Sequence, residues 1–244
     1  MLGVTAGTSI AAALRQAIAV RGQANVIFGS APSQNETLSA LGDEDLDWSS
    51  ITAFHLDEYV GASEAAPYSF RRYLIDHLFS RRPPRKFHAI DGQAASPEHE
   101  CERYAALLGQ HSPDIALLGI GENGHLAFND PPANFEDPLP VRLVHLAQSC
   151  REQQVADGVF SSLESVPRTA ITLTIPTLMR VPQLFVMVPG PAKARAVKDA
   201  LLNAVSPLCP ASILRTHPAA TLFLDPDSAG GFTEAVTPPD AAAS

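Results

Sequence analysis

Three cysteines, one tryptophan and three methionines in 244 residues leave little room for several kinds of protein. Cys101, Cys150 and Cys209 are odd in number and show no metal-like spacing, so neither a disulfide framework nor a cysteine-bound metal is expected. Reduced thiols in a cytoplasmic setting are the expectation. Lys and Arg total 17 against 26 Asp and Glu, a net charge of −9, and a nucleic-acid partner would need clustered cations. No uninterrupted apolar run approaches the roughly 18 residues of a membrane span. The first 20 residues lack a basic leader segment, and Arg15 and Arg21 break the apolar pattern, so this stretch reads as an amphipathic helix, not a signal peptide.

What is present is a repeated alternation. Short apolar runs at 25–28, 51–56, 115–118, 169–173, 184–188 and 221–224 are separated by stretches with helical periodicity. Helices are expected over 9–19, from 35 or 36 onward, over 68–80, 96–108 and 150–163, and around 212–214, with further strands at 86–90 and 141–146. Strands alternating with helices predict βαβ units, hence an α/β Rossmann-like three-layer sandwich with a mostly parallel sheet. No linker-like break interrupts residues 1–232, read as one domain. Residues 233–244, rich in Pro and small residues, read as a disordered tail.

The chemistry concentrates at Asp114–Pro132, DIALLGIGENGHLAFNDPP. A buried strand empties into a glycine loop and then a histidine, and in open α/β sheets ligands sit at strand carboxyl ends. Gly119, Gly121 and Gly124 match a dinucleotide fingerprint as a string. The context is wrong: the stretch is mid-chain, His125 follows directly, and Pro131-Pro132 forbids the long helix that would carry a pyrophosphate. A nicotinamide cofactor is therefore excluded, and no cofactor or metal is expected. His125 alone would more often be a structural histidine. Asp130, five residues on, can hold it in one tautomer, and such a pair suits proton transfer between sugar oxygens.

A second centre is Asp57-Glu58, adjacent carboxylates ending an apolar strand. Neighbours on an extended chain point opposite ways, so one can face a cleft while the other forms an ion pair or cap. After the first strand, Gly29–Gln34 is a small-residue loop opening a helix. It is either an ordinary βα turn, the simpler reading, or a phosphate grip. Arg71, Arg72, Arg81, Arg82, Arg85 and Lys86 form the most basic patch, read as a solvated surface or a subunit contact.

GIGENGHLAFNDP together with LDEYVG resembles the glucosamine-6-phosphate deaminase/isomerase family, over roughly Ser9–Asp225. The resemblance implies a fold shared with 6-phosphogluconolactonases and conversion of glucosamine 6-phosphate and water to fructose 6-phosphate and ammonia. It implies that Asp57 moves a proton between C2 and C1, that His125 opens the pyranose ring, and that Asp130 supports it, where the family commonly has Glu. Asn123 stands where the family often has Asp. For the phosphate it implies Ser30, Ser33 and Gln34 from the first loop and Lys193 at a late helix start. Arg151 is the candidate phosphate arginine, though it sits earlier than the family spacing. Glu58 and Gly124 complete the expected substrate-binding set. A phosphorylated amino sugar is the expected partner, with a homo-oligomer possible. A lactonase and a non-catalytic sugar-phosphate sensor are the rival readings.

Overall fold

The computed structural model describes residues 1–156 and 158–233. In chain order it contains α1 (Leu2–Arg21), β1 (Ala24–Phe28), α2 (Asn35–Asp43), β2 (Ile51–His55), β3 (Asp57–Tyr59), α3 (Phe70–Leu74), β4 (Lys86–Phe87), α4 (Pro97–His111) and β5 (Ile115–Leu118). Then follow β6 (Val141–His145), α5 (Gln148–Ala156), β7 (Thr169–Leu173), α6 (Ile175–Met179), β8 (Gln183–Val188), α7 (Ala194–Leu202), β9 (Ala220–Leu224) and α8 (Pro226–Thr233).

Six strands form a parallel sheet in the order β4-β2-β1-β5-β8-β9. Its two central strands are apolar except for Asn25 because both faces are covered. Along β1 and β5 successive side chains enter different cores. Ile27, Ala116 and Leu118 join Phe54, Tyr104 and Val186 on one side. Val26, Phe28, Ile115 and Leu117 pack against α1 and α2 on the other. Each fully buried Leu, Ile or Phe contributes about 1.5–3 kcal/mol of transfer free energy. Helix α1 approaches α2 through Gly3 and Gly7, whose missing side chains leave room for Glu36 and Ala40.

The expected strands and helices are present, with boundaries that packing adjusts. Helix α1 runs well beyond the expected 9–19. The stretch expected to be helical over 68–80 starts at Phe70, after the Ser69 cap, and finishes as a π-helical turn, Ile75–Phe79. The helix expected over 150–163 stops at Ala156, and Gly158 follows with φ 73°. Only Lys86–Phe87 of the expected 86–90 strand pairs in the sheet.

A separate three-stranded antiparallel sheet, β3-β7-β6, was not anticipated; Glu58 pairs with Ile171, and Leu143 with the same residue from the other side. The arginine-rich patch is largely matched internally: Arg71 to Glu64, Arg72 to Asp76, Arg81 to Asp43, and Arg82 to the Gly42 carbonyl. The stretch expected to form a disordered tail lies outside the described residues, apart from Thr233 at the end of α8. Among the described residues no helix is long and apolar enough to cross a membrane.

Candidate active site

From β1 the chain moves outward to β2 and β4, then returns to lay β5 on the opposite flank of β1. The loops leaving β1 and β5 therefore diverge, opening a crevice at the carboxyl ends of the strands. A cavity of about 840 Å³ occupies it, walled by the loops after β1, β2, β5 and β8, by α3 and by α5.

The loop after β1 supplies Ser30, Ser33 and Gln34 to the wall. Gln34 is buried and ties the loop to β5, its Nε2 donating to the Leu118 carbonyl at 3.2 Å and to Ser33 Oγ at 3.2 Å. Ser30 Oγ is buried with no hydrogen-bond partner among the described residues. An orphaned hydroxyl beside a cavity is suited to an incoming ligand.

The end of β2 is held rigidly. His55 is fully buried and its Nε2 accepts the Ile90 N–H at 2.8 Å. Tyr104 Oη accepts the His55 N–H and donates to the His55 carbonyl. Burial, helped by the Arg71 charge, pushes the His55 imidazole down to about 3, so it is neutral. Beyond it the two carboxylates diverge. Glu58 turns inward, accepting the N–H groups of Tyr59, Phe70 and Arg71 and the Ser69 hydroxyl at 2.7–3.2 Å. It anchors the start of α3 and does not line the cavity. Asp57 faces the cavity. Burial, and then the Glu58 charge, raise its carboxyl well above the ordinary range.

The loop after β5 is built around His125, which lines the cavity. A Cβ at Gly121 would overlap the imidazole, so the ring lies directly against that backbone. Gly124 takes φ 84° and passes its N–H to the Gly121 carbonyl at 2.9 Å. It shapes the turn and does not line the cavity. Asn123 stands behind the histidine: its Oδ1 accepts the His125 N–H at 3.0 Å and its Nδ2 donates to Asp130 Oδ1 at 3.1 Å. The same Asp130 oxygen lies 3.3 Å from His125 Nδ1, without a straight hydrogen bond. Burial works against the Asp130 charge, but His125, Asn123 and the Ala147 N–H outweigh it and hold the carboxyl below its usual value. Asn123 and Asp130 thus support the ring from outside the main cavity. Asn123 instead borders a neighbouring 470 Å³ hollow shared with Cys209 and Arg195.

After β8, Lys193 joins the wall. Arg151 does not. Its guanidinium donates to the carbonyls of Leu163 and Val166, fastening α5 to the following turn. The structure thus places the guanidinium of the expected phosphate arginine on these two carbonyls and away from the cavity wall. Cys150, Gln153 and Gln154, also on α5, reach the cavity instead. Their i, i+3, i+4 spacing was the signal that could have found them. Tyr68, Phe70, Tyr73 and Phe128 form an aromatic side of the cavity that sequence reasoning missed. Among the described residues no three His, Cys, Asp or Glu side chains converge as metal ligands.

Fold and site together define an α/β protein with a ligand cleft at a switch point, holding a carboxylate and an imidazole beside a lysine. The sequence profile described as glucosamine-6-phosphate isomerases/6-phosphogluconolactonase matches residues 2–223, and the chain belongs to that family. It is 36% identical to a glucosamine-6-phosphate deaminase of Listeria monocytogenes over 209 residues, 85% of this chain and 88% of the relative. It is also 36% identical to one from Bacillus thuringiensis, covering 78% and 71%. Among solved structures, a monomeric glucosamine-6-phosphate deaminase superposes with TM-score 0.86 at 29% identity, covering 94% and 95%. The 6-phosphogluconolactonase of Trypanosoma brucei superposes with TM-score 0.79 at 17% identity, covering 95% and 94%, a likeness of fold.

Proposed function

We propose that this chain is a glucosamine-6-phosphate deaminase, converting glucosamine 6-phosphate and water to fructose 6-phosphate and ammonia. The observation that carries the reading is the presence of Asp57 and His125 in the wall of one cavity, with Lys193 and the Ser30–Gln34 loop on the same wall. Two proton-handling groups suit an isomerisation, in which oxygen-bound and carbon-bound protons both move.

Asp130 beside Nδ1 favours the tautomer with the proton on that nitrogen and leaves Nε2 as the acceptor. Nε2 takes the O1 proton of the pyranose and returns it to O5 as the C1–O5 bond breaks. The Asp57 carboxylate then removes the C2 proton. Electrons from that bond form C1=C2 while O1 takes up the proton that the C2 ammonium releases, relayed by His125 Nε2, and the enolamine results. Asp57 returns its proton to C1, giving the C2 iminium. Water adds at C2, the C–N bond breaks, and ammonia leaves.

A raised carboxyl makes Asp57 a stronger base than an exposed aspartate. Lys193, the Ser30 and Ser33 hydroxyls and the loop backbone form the phosphate end. Asn123 and Asp130 position the ring. Incubation of the purified protein with glucosamine 6-phosphate tests the proposal: ammonia and fructose 6-phosphate in equal amounts are expected. Lactone hydrolysis with no ammonia would replace this reading by the lactonase.

A further inference from the structure

We propose that Asp225 is a positioning residue for the anion end of the cavity, fixing from the edge of the sheet the turn that delivers Lys193. The inference rests on the reading of Lys193 as a phosphate-binding residue.

The turn leaving β8 reads Val188-Pro189-Gly190-Pro191-Ala192-Lys193. Neither proline has an N–H, so Gly190 carries the one backbone donor between Val188 and Ala192. That donor is spent on Asp225 Oδ2, at 2.8 Å. Gly190 has φ 91°, and its carbonyl in turn accepts the Lys193 N–H at 3.2 Å. Strands β8 and β9 are parallel neighbours with Val188 opposite Leu224, so their loops leave the sheet side by side and the carboxylate spans them. Its other oxygen, Oδ1, accepts the Ser228 N–H at 2.8 Å, and the Asp225 N–H donates to Ser228 Oγ at 3.1 Å. One carboxylate therefore caps α8 and fixes the lysine turn. The two tasks fall to different oxygens and are separable.

Serine at position 225 keeps a good N-cap but is too short to reach Gly190. Asp225→Ser is expected to raise KM for glucosamine 6-phosphate and the inhibition constant for inorganic phosphate about tenfold, in parallel, with kcat within about twofold of the parent. Asp225→Asn retains an acceptor for Gly190 and is expected to recover most of both constants. Ser228→Ala, which disturbs the α8 cap alone, is expected to lower the melting temperature without moving either constant. Unchanged constants in Asp225→Ser, or equal changes in Asp225→Ser and Ser228→Ala, would overturn the proposal. Lys193→Ala separates the two layers. If it leaves both constants unmoved, the phosphate reading itself fails; if it raises them while Asp225→Ser does not, only the role of Asp225 fails.

Discussion

The imidazole of His125 lies where a side chain at Gly121 would have to be. The glycine is required here by proximity and not by an unusual φ, since its neighbour Gly124 is the residue with the left-handed backbone. Gly121→Ala is therefore expected to displace the ring while the β5 strand stays intact. A shift of about 1 Å at a reacting group costs about 10²-fold in rate, and kcat for the deamination is expected to fall by at least that factor. A variant with parental kcat would show that the ring need not lie against this backbone.

Asp57 carries a cost in stability as well as a role. Its folded carboxyl is raised by burial and by Glu58. Between the unfolded value of about 3.9 and the folded value, the native state holds a proton that the unfolded chain has released. Stability from this group is thus intact at low pH and is lost as pH rises through the folded value. Asp57→Asn removes that loss. Its melting temperature is expected to exceed the parent's by about 2–4 °C per kcal/mol relieved at neutral pH, with the difference vanishing near pH 3–4. A difference independent of pH would contradict the assignment. For the same reason, kcat/KM of the parent is expected to rise with pH through a value above the ordinary carboxylate range.

Removal of Glu58, next in sequence, is expected to cost stability. It satisfies three backbone N–H groups and the Ser69 hydroxyl from a buried position. Glu58→Ala leaves those donors unpaired, and a loss of about 3 kcal/mol is expected in chemical denaturation. Unaltered stability would mean that water replaces the carboxylate.

That contrast shows what the sequence could and could not say. Alternation along an extended chain required the two carboxylates to part, but which one met the cavity depended on α3 arriving beside Glu58. The parallel sheet was legible because strands covered on both faces are apolar at every position, as Ile115–Leu118 is. The β3-β7-β6 sheet was not, because Asp57–Tyr59 is only three residues long and its pairing with 170–172 is a long-range event.

The placing of Arg151 was not legible for a related reason: composition puts a cation on α5 but does not choose the direction it faces. Arg151→Met is expected to destabilise α5 while leaving KM for the phosphosugar within about twofold, whereas Lys193→Met is expected to raise KM by about 10–100-fold, the scale of a charge-assisted contact. Steady-state kinetics beside a melting curve checks both. The reverse pattern would return the phosphate to Arg151.

The central claim is that Asp57 moves the proton from C2 to C1 in the cavity it shares with His125. Turnover of glucosamine 6-phosphate in deuterium oxide, with the product read by NMR, tests this most directly. The parent enzyme is expected to place solvent deuterium at C1 of fructose 6-phosphate in the fraction of turnovers in which the Asp57 carboxyl exchanges its proton before returning it, and Asp57→Asn to bind the phosphosugar yet form product at least about 10²-fold more slowly. Labelling by Asp57→Asn at the parental rate would contradict the account.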